Sequence, residues 1–192
     1  MRECVIPSVL DRRRDEAYFA EDGLCVQGVF SYENVRKQFL SDVLGIPLRE
    51  IREVRVATPF LWKRHARQKQ GILDMALELN RGTKVNVEMQ VRRQSAWTKR
   101  ELFYLAKMYT EDLKAGQDYE RLHRCVSIGL LDFNLTERER YHSRYRLREA
   151  DGTELTDLLE IHIVELSKAL WGRSRWTTGF VCSMRKGRRI WR

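Results

Sequence analysis

The chain has 192 residues, enough for one domain with a hydrophobic core and too few to expect two. Hydrophobic residues make up 43% of it and charged residues 33%, as is typical of a globular protein, and no run of about 18 apolar residues predicts a transmembrane helix. Seven of the 36 basic side chains lie between Gly172 and Arg192, where there is no acid. The rest of the chain is therefore close to neutral. The net charge of +9 does not by itself predict that the folded domain binds nucleic acid.

The four cysteines and the four histidines form no known metal-binding motif. The cysteines are scattered without a CxxC pair, and the histidines contain no HExxH, so we expect free thiols and no zinc site. The first residues, MRECVIPSVLDRRRDE, lack the apolar segment of a secretory signal peptide. We therefore expect a cytoplasmic protein that does not associate with a membrane.

The first regular element that the sequence predicts is a helix over 32–44. Residues 1–28 before it have a charge run but no clear period. Apolar residues then recur at helical spacing, Ser31 is suited to cap the helix, and Gly45 is suited to end it.

A strand and a basic loop follow this helix. Residues 51–58, IREVRVAT, alternate and are rich in β-branched side chains, which predicts a strand that stops at Pro59. Residues 62–70, WKRHARQKQ, contain four basic side chains and no acid, which indicates a loop.

The next stretch, ILDMALELNRGTKVNVEMQ (72–90), contains two runs of alternating apolar and polar residues around one glycine. This pattern predicts a β-hairpin, and a hairpin must place apolar side chains against apolar ones. A two-residue turn at Arg81-Gly82 mixes the two faces. A three-residue loop of Asn80, Arg81 and Gly82, with Gly82 in the left-handed conformation, matches them.

The three-residue loop determines which polar side chains of the two strands face each other. It pairs Glu78 with Lys84, and it places Asp74 directly across from Glu88 on the same face. Facing residues have Cβ atoms about 4.5–5.5 Å apart. Two carboxylates that close repel each other unless a positive charge lies between them.

Three further elements are predicted after the hairpin. Residues 93–115 carry apolar side chains near a helical stripe, which predicts a long helix that ends before Gly116. The nearly continuous apolar run within 124–133 predicts a buried strand. Asp151-Gly152, between two alternating runs, predicts a second hairpin.

The facing carboxylates are the strongest candidate for a functional site. Mg²⁺ is held in proteins by one or two carboxylates, with waters and phosphate oxygens as its other ligands. Gln90 follows Glu88 by two residues, so its amide emerges on the same face and is placed to orient a water or a phosphate. The alternative is an ordinary solvated face of a sheet, where acidic residues such as Asp74 and Glu88 are common.

Basic residues flank the carboxylate pair in the sequence. Arg64 and Arg67 precede the hairpin, whereas Arg92, Arg93 and Arg100 follow it. This distribution suits a phosphodiester substrate better than a small neutral one. The alternative is a solvated surface, with Arg100 packed along its own helix.

Several segments resemble the Rpn family of bacterial recombination-promoting nucleases, the PD-(D/E)XK family transposases. They are GILDMALELNRGTKVNVEMQ, KRELFYLAKMYTEDLKAGQDYERL, CVSIGLLDF and LTDLLEIHIVELSK. The likeness extends from about Phe30 to Lys168. Its most specific features are the LD…VEMQ hairpin, the R-x-x-x-Y motif at Arg100 and Tyr104, and the G-x-D-Y motif that begins at Gly116.

The resemblance implies an α/β fold with a restriction-endonuclease-like mixed β-sheet core flanked by helices. It implies that Asp74 and Glu88 bind Mg²⁺ or Mn²⁺, with the main-chain carbonyl of Met89 as a further ligand. Glu33, in the first helix, is a candidate to complete this set. Gln90 takes the place of the lysine found in other PD-(D/E)XK nucleases, as it does in many members of this group.

The residues and the resemblance together predict a Mg²⁺-dependent DNA endonuclease of the bacterial cytoplasm. Asp74, Glu88 and Gln90 are its predicted catalytic residues, and a homodimer is left open. The alternative is a catalytically inactive or truncated remnant of a nuclease, which binds nucleic acid or a protein partner. A nuclease that acts on RNA is a third hypothesis, because phosphate contacts carry no sequence information.

The same patterns predict how the chain is divided. We expect a poorly matching N-terminal segment over 1–28, a nuclease-like domain over 29–171 and a basic, poorly ordered tail over 172–192.

Overall fold

The computed structural model describes residue 30 and residues 32–58, 60–61, 71–80 and 82–169. Their helices and strands, in chain order, are α1 (Glu33–Leu44), β1 (Val54–Ala57), β2 (Phe60–Leu61), β3 (Gly71–Ile72), β4 (Met75–Leu79), β5 (Thr83–Gln90), α2 (Trp97–Thr110), β6 (Cys125–Leu131), β7 (His142–Arg148), β8 (Glu154–Glu165) and α3 (Leu166–Ala169). The described ranges also contain two short 3₁₀ turns, at Leu48–Glu50 and Tyr119–Arg121.

Six of the strands form one mixed sheet in the order β1-β4-β5-β6-β8-β7. The three neighbouring strands β5, β6 and β8 run parallel, and the remaining pairs of neighbours are antiparallel. Since β5 and β6 are parallel neighbours, the chain crosses between them through α2. Strands β2 and β3 pair separately. The predicted α/β fold, a mixed sheet flanked by helices, is confirmed.

The sheet has two faces with different contents, because side chains alternate along each strand. On one face, which we call the α1 face, Val85 and Val87 of β5 belong to a hydrophobic core with Phe39 of α1. On the opposite face, which we call the α2 face, the alternate residues Asn86 and Glu88 are buried. One strand thus supplies the core on one side and polar groups on the other.

Helix α2 lies close to the sheet where it crosses β6. Trp97, at its first turn, is fully buried. A Cβ atom added at Gly129 of β6 would lie 2.5 Å from Cζ2 of the Trp97 indole, so only glycine leaves room for the ring. Leu105 and Met108 continue the apolar stripe of the helix onto the sheet. This packing fixes the position of α2 along the sheet and therefore determines where its polar residues lie relative to β5.

The β4–β5 register is the predicted one, with Glu78 opposite Lys84. The conformation of the turn differs from the prediction, because Asn80 (φ 52°) and not Gly82 is left-handed. Asparagine tolerates this conformation, and here its side chain also binds the segment between α1 and β1. Its Oδ1 accepts from the amides of Arg52 (2.8 Å) and Glu53 (3.2 Å), and its Nδ2 donates to the carbonyl of Glu50 (2.8 Å). These bonds explain why the glycine is not the residue that adopts positive φ.

The helix predictions were confirmed in position, and one of them was wrong in length. Helix α1 ends at Gly45 in the left-handed conformation (φ 68°), as predicted. Helix α2 is shorter than the predicted range of 93–115, because it begins at Trp97 and ends at Thr110. Gly116 has positive φ (79°) but lies beyond the end of the helix.

The remaining strands confirm the sequence pattern. Strand β1 lies within the predicted 51–58, and β6 is buried along its whole length, as its apolar run predicted. The second hairpin turns at Gly152 (φ 94°), and the amide of Glu149 donates to the carbonyl of Thr153 at 2.8 Å. Its two strands, β7 and β8, pair as predicted.

Some predictions fall on residues that the structure does not describe. They concern the segments 1–28 and 172–192 and the basic loop 62–70. The predicted cap of the first helix was wrong, because the N-cap residue of α1 is Tyr32 and not Ser31. Within the described ranges, Cys125 is a buried free thiol, and no helix there combines the length and the apolar character needed to cross a membrane.

Candidate active site

The first hairpin brings Asp74 and Glu88 to one end of the sheet. The pairing of β4 with β5 ends at Met75 and Val87, so Asp74 and Glu88 are the next residues in register. Asp74 lies just before β4, and its Oδ2 accepts a hydrogen bond from the amide of Met89 at 3.1 Å. Glu88 is only 4% exposed. The structure therefore brings the two predicted carboxylates together on the α2 face.

Burial disfavours the charged form of both carboxylates. It raises the pKa of Asp74, and the charge of Glu88 raises it further. The hydrogen bond from the Met89 amide and the charge of Arg100 lower the pKa of Asp74. Burial is also the largest cause that raises the pKa of Glu88, to about 9. A bound cation would lower the pKa of both carboxyl groups.

A third carboxylate, Glu101 of α2, adds to the shift of Glu88. The neighbouring carboxyl group of Glu101 raises the pKa of Glu88 in addition to burial. Glu101 is 1% exposed, and its Oε2 accepts from the hydroxyl of Ser127 on β6 at 2.5 Å. Its place between Trp97 and Leu105, in the buried stripe of the helix, is the sequence signal that could have identified it.

Arg100 is the cation that faces this group of carboxylates. Its Nη2 donates to Oε1 of Gln90 at 2.6 Å and lies 3.4 Å from Oε2 of Glu88. Its Nη1 donates to Gln94 at 3.4 Å. Arg100 and Tyr104 lie one turn apart on α2, and burial followed by the charge of Glu88 raises the pKa of Tyr104. Both residues of the R-x-x-x-Y motif therefore belong to the same site.

The other predicted residues do not join this group. Glu33 begins α1, which packs on the opposite face of the sheet, and its carboxylate pairs with Lys37 at 2.9 Å. Arg92 and Arg93 are exposed in the connection between β5 and α2. Arg64 and Arg67 lie outside the described residues.

The donor set fits a hard divalent cation. Asp74 and Glu88 provide two carboxylates next to the main chain of Met89, and Mg²⁺ is commonly held by one or two carboxylates and waters. Beside them, Oε1 of Glu101 is buried and has no hydrogen-bond donor. Nowhere in the described part of the chain do three Asp, Glu, His or Cys side chains surround one point as ligands.

Another buried carboxylate, Glu160 of β8, lies on the α1 face of the sheet. It is fully buried and accepts from three guanidinium groups, those of Arg124 (2.6 Å), Arg146 (3.1 Å) and Arg144. Nε2 of His162 lies 2.5 Å from its Oε1. Burial raises the pKa of Glu160, but the hydrogen bonds from His162 and Arg124 outweigh this effect and keep that pKa below the ordinary value.

His162 continues this network to a second histidine. Its Nδ1 lies 2.8 Å from Nε2 of His142, and the two rings stack at 5.1 Å. Burial, followed by the neighbouring His162, lowers the pKa of His142 to about 4. Glu160, His162 and His142 therefore form hydrogen bonds within one network of side chains.

Comparison with known proteins agrees with this geometry. The family model described as PD-(D/E)XK nuclease family transposase matches residues 29–179. A search of the curated proteins found no match. The matched range contains the complete six-stranded sheet, the hairpin with Asp74 and Glu88, and helix α2. The chain therefore belongs to the PD-(D/E)XK nuclease family transposases.

Proposed function

We propose that the protein is a Mg²⁺-dependent DNA endonuclease that hydrolyses phosphodiester bonds. The observation that carries the proposal is a pair of carboxylates, the buried Glu88 and the half-buried Asp74, at one end of the first hairpin. Membership of a nuclease family supports the same reaction class. Burying two acids side by side is unfavourable in the absence of a cation, which indicates that the arrangement serves binding rather than stability.

In this proposal, Asp74, Glu88 and the main-chain carbonyl of Met89 hold the metal ion. When bound, such an ion lowers the pKa of a coordinated water and neutralises charge on the phosphate. The amide of Met89 fixes the orientation of the Asp74 carboxylate through its hydrogen bond. Gln90 emerges on the same face and orients the attacking water or a phosphate oxygen.

Arg100 has a defined role at this site. Its guanidinium lies between Gln90 and Glu88, so it supplies the positive charge that the Gln90 amide lacks. An arginine is well suited to this position, since its planar donors match the oxygens of a phosphate. We propose that it binds the phosphate to be cleaved. Arg92 and Arg93, together with Arg64 and Arg67, are proposed to contact the flanking backbone.

A cleavage assay on plasmid DNA and on RNA tests the proposal. The wild type, Asp74→Ala and Glu88→Ala are compared in Mg²⁺, in Mn²⁺ and in EDTA. We expect the wild type to cleave DNA only with the metal, and each variant to lose at least ~10³-fold in rate, the scale expected when a group that stabilises transition-state charge is removed. Glu120→Ala, at an exposed carboxylate of the 3₁₀ turn, is the matched control and should cleave like the wild type.

The outcomes separate the hypotheses for this protein. Equal cleavage by the wild type and both variants would refute the site. A wild type that binds DNA with steep salt dependence but never cleaves it would favour the non-catalytic binding protein. Cleavage of RNA alone would change the substrate but retain the site.

Arg100→Ala tests the role of the guanidinium. We expect about 10–100-fold slower cleavage, since one charge-assisted contact to a phosphate is lost. Lys99→Ala, at an exposed base one residue away on the same helix, is the control and should have little effect. Equal rates for both variants would contradict the proposed role.

A further inference from the structure

Strand β7 lies at one edge of the six-stranded sheet and carries an arginine at every second position. These residues, Arg144, Arg146 and Arg148, line a groove of about 260 Å³ together with Tyr145, which is 42% exposed. Strands β6 and β8 separate β7 from β5. The groove is therefore distinct from the group of carboxylates at the end of the first hairpin.

The buried Glu160 holds two of these arginines in place. Its carboxylate accepts from Nε and Nη2 of Arg144 and from Nε of Arg146, and Arg124 binds it at 2.6 Å. Glu160 is fully buried, so its position is set by the sheet. Donors that are oriented before a ligand arrives bind it at a lower entropic cost. The guanidinium groups of the groove are therefore preorganised.

Each arginine of the groove keeps one nitrogen that has no partner within the described ranges. Arg144 uses Nε and Nη2, which leaves Nη1. Arg146 donates to Glu160 and through Nη1 to Glu154, which leaves Nη2. Arg148 uses Nη1 and Nη2, which leaves Nε. These three nitrogens are available to an acceptor that enters the groove.

The ion pairs around the groove leave positive charge over. Among the described residues, these pairs join the three arginines of the groove and Arg124 to three carboxylates, those of Glu154, Asp157 and Glu160. Four positive charges thus meet three negative ones. Excess charge with spare guanidinium donors suits an anion that has several oxygens, as a phosphate does.

The shape of β7 favours a nucleic acid over an acidic peptide as the ligand. A peptide that binds a sheet edge adds a strand, which needs a regular row of backbone donors and acceptors. The pairing of β7 with β8 shifts register between Arg146 and Leu147 and again between Leu147 and Arg148. Such bulges disrupt pairing along an edge. A sugar–phosphate backbone needs only the side-chain donors, and the ring of Tyr145 offers a flat surface to a base.

We propose that this groove binds the sugar–phosphate backbone of a segment of nucleic acid other than the one held at Asp74 and Glu88. Arg144 and Arg146 bind Glu160 on the α1 face, whereas the two carboxylates lie on the α2 face. The inference goes beyond the proposed function, since it gives the protein a second place to hold nucleic acid. Glu160 is a positioning residue, because it orients guanidinium groups and does not contact the ligand.

DNA binding in EDTA tests the inference independently of cleavage. Fluorescence anisotropy measures the affinity for two short labelled duplexes of unrelated sequence at several salt concentrations. We expect the double variant Arg144→Gln/Arg148→Gln to bind both duplexes about tenfold more weakly or less tightly still, and the slope of log affinity against log salt to fall by about two, one for each lost phosphate contact.

The matched control changes the net charge by the same amount at another place. Arg49→Gln/Arg121→Gln alters two exposed arginines of the 3₁₀ turns and should bind like the wild type. Melting temperatures check that each variant folds. Arg148→Gln alone leaves Glu160 with all its partners, so it decides the test if the double variant does not fold; its salt slope should fall by about one.

Hydrogen exchange locates the binding. Adding duplex should slow the exchange of amides within 144–148, both in the wild type and in Asp74→Ala, because the groove is separate from the carboxylates. Slowed exchange in a protein that never cleaves DNA would leave this inference standing and refute the proposed function. Unchanged exchange there, or an equal loss of affinity in the two double variants, would overturn the inference. Equal protection of β7 by polyglutamate or by inorganic phosphate would overturn nucleic acid as its ligand.

Discussion

Glu88 and Glu160 are both buried in the same sheet, yet their surroundings have opposite effects on them. Glu160 receives three guanidinium groups and a histidine, and its pKa stays below the ordinary value. Glu88 has one guanidinium at 3.4 Å and a second carboxyl group beside it, and its pKa rises to about 9. Burial is similar in the two cases, so the partners account for the difference.

The contrast separates a structural carboxylate from one that we propose to bind a cation. A buried charge that is fully paired stabilises the native arrangement of its neighbours, and removing it leaves those neighbours unpaired. A buried charge that lacks partners costs stability and is retained where a ligand supplies the missing charge. The β7–β8 hairpin therefore carries a structural network, whereas the β4–β5 hairpin carries the proposed binding site.

The largest expected effect is on folding stability, and it distinguishes the two glutamates directly. Glu160→Gln should lower the free energy of unfolding by about 3 kcal/mol or more, because it leaves Arg124 and Arg146 without their buried partner. Glu88→Gln, without metal, should leave the free energy of unfolding unchanged or raise it. Urea denaturation in EDTA at pH 7 measures both.

The control for this comparison is Glu154→Gln. Glu154 also pairs with Arg146, but it is exposed, so its loss should cost about 1 kcal/mol or less. A Glu88→Gln variant as unstable as Glu160→Gln would mean that Glu88 is structural and would remove the contrast.

The second prediction concerns pH, and its direction is opposite for the two residues. The folded protein holds a proton on Glu88 more tightly than the unfolded chain, so the stability this provides is complete below pH 4.5 and is lost as the pH rises toward about 9. Glu160 has a lowered pKa, so its contribution is present above pH 4.5 and is lost as the pH falls below that.

Denaturation of the metal-free protein between pH 4 and pH 9 checks both directions. The wild type should become less stable relative to Glu88→Gln as the pH rises, by an amount on the order of 2 kcal/mol. Its advantage over Glu160→Gln should shrink as the pH falls to 4. Saturating Mn²⁺ should abolish the first trend and leave the second, and a pH profile unaffected by Mn²⁺ would argue against a cation at Glu88.

The last prediction concerns Gly129→Ala, which tests how α2 is held over the candidate site. The added methyl group would meet the Trp97 indole at 2.5 Å, so the helix must shift, at a cost of about 1–3 kcal/mol. Because α2 carries Arg100 and Glu101, Mn²⁺ affinity should fall as well. Adding Trp97→Phe removes the atoms that clash and should restore part of the loss. A double variant as weak in Mn²⁺ binding as the single one would indicate another cause.

The register of the first hairpin was predicted well from the sequence. Alternation along two strands allows only one register that keeps apolar against apolar, and this register brings Asp74 opposite Glu88. The turn was predicted less well, since Asn80 takes the left-handed conformation through bonds to residues near Arg52. Such bonds depend on which distant segment lies beside the loop, and local pattern does not reveal that.

The partners of the carboxylates were not predictable from local pattern. The contact between Arg100 and Gln90, and that between Glu101 and Ser127, depend on the crossing of α2 over β5 and β6. Glu101 stood out only as one acid within an apolar stripe, a weak signal by itself. The sequence did not indicate that Glu160 is buried and paired, because an alternating strand does not show whether its polar face is solvated or covered by arginines.

The anchoring of Asn80 has a consequence for how this protein can evolve. Strand side chains alternate, so one residue inserted or deleted between β4 and β5 would exchange the two faces of a strand and turn Asp74 or Glu88 away from its partner. Asn80 binds the connection before β1 and fixes where the turn begins. Substitutions in this loop that keep its length and Asn80 should preserve the register, whereas inserting or deleting one residue there would separate Asp74 from Glu88 at the other end of the hairpin.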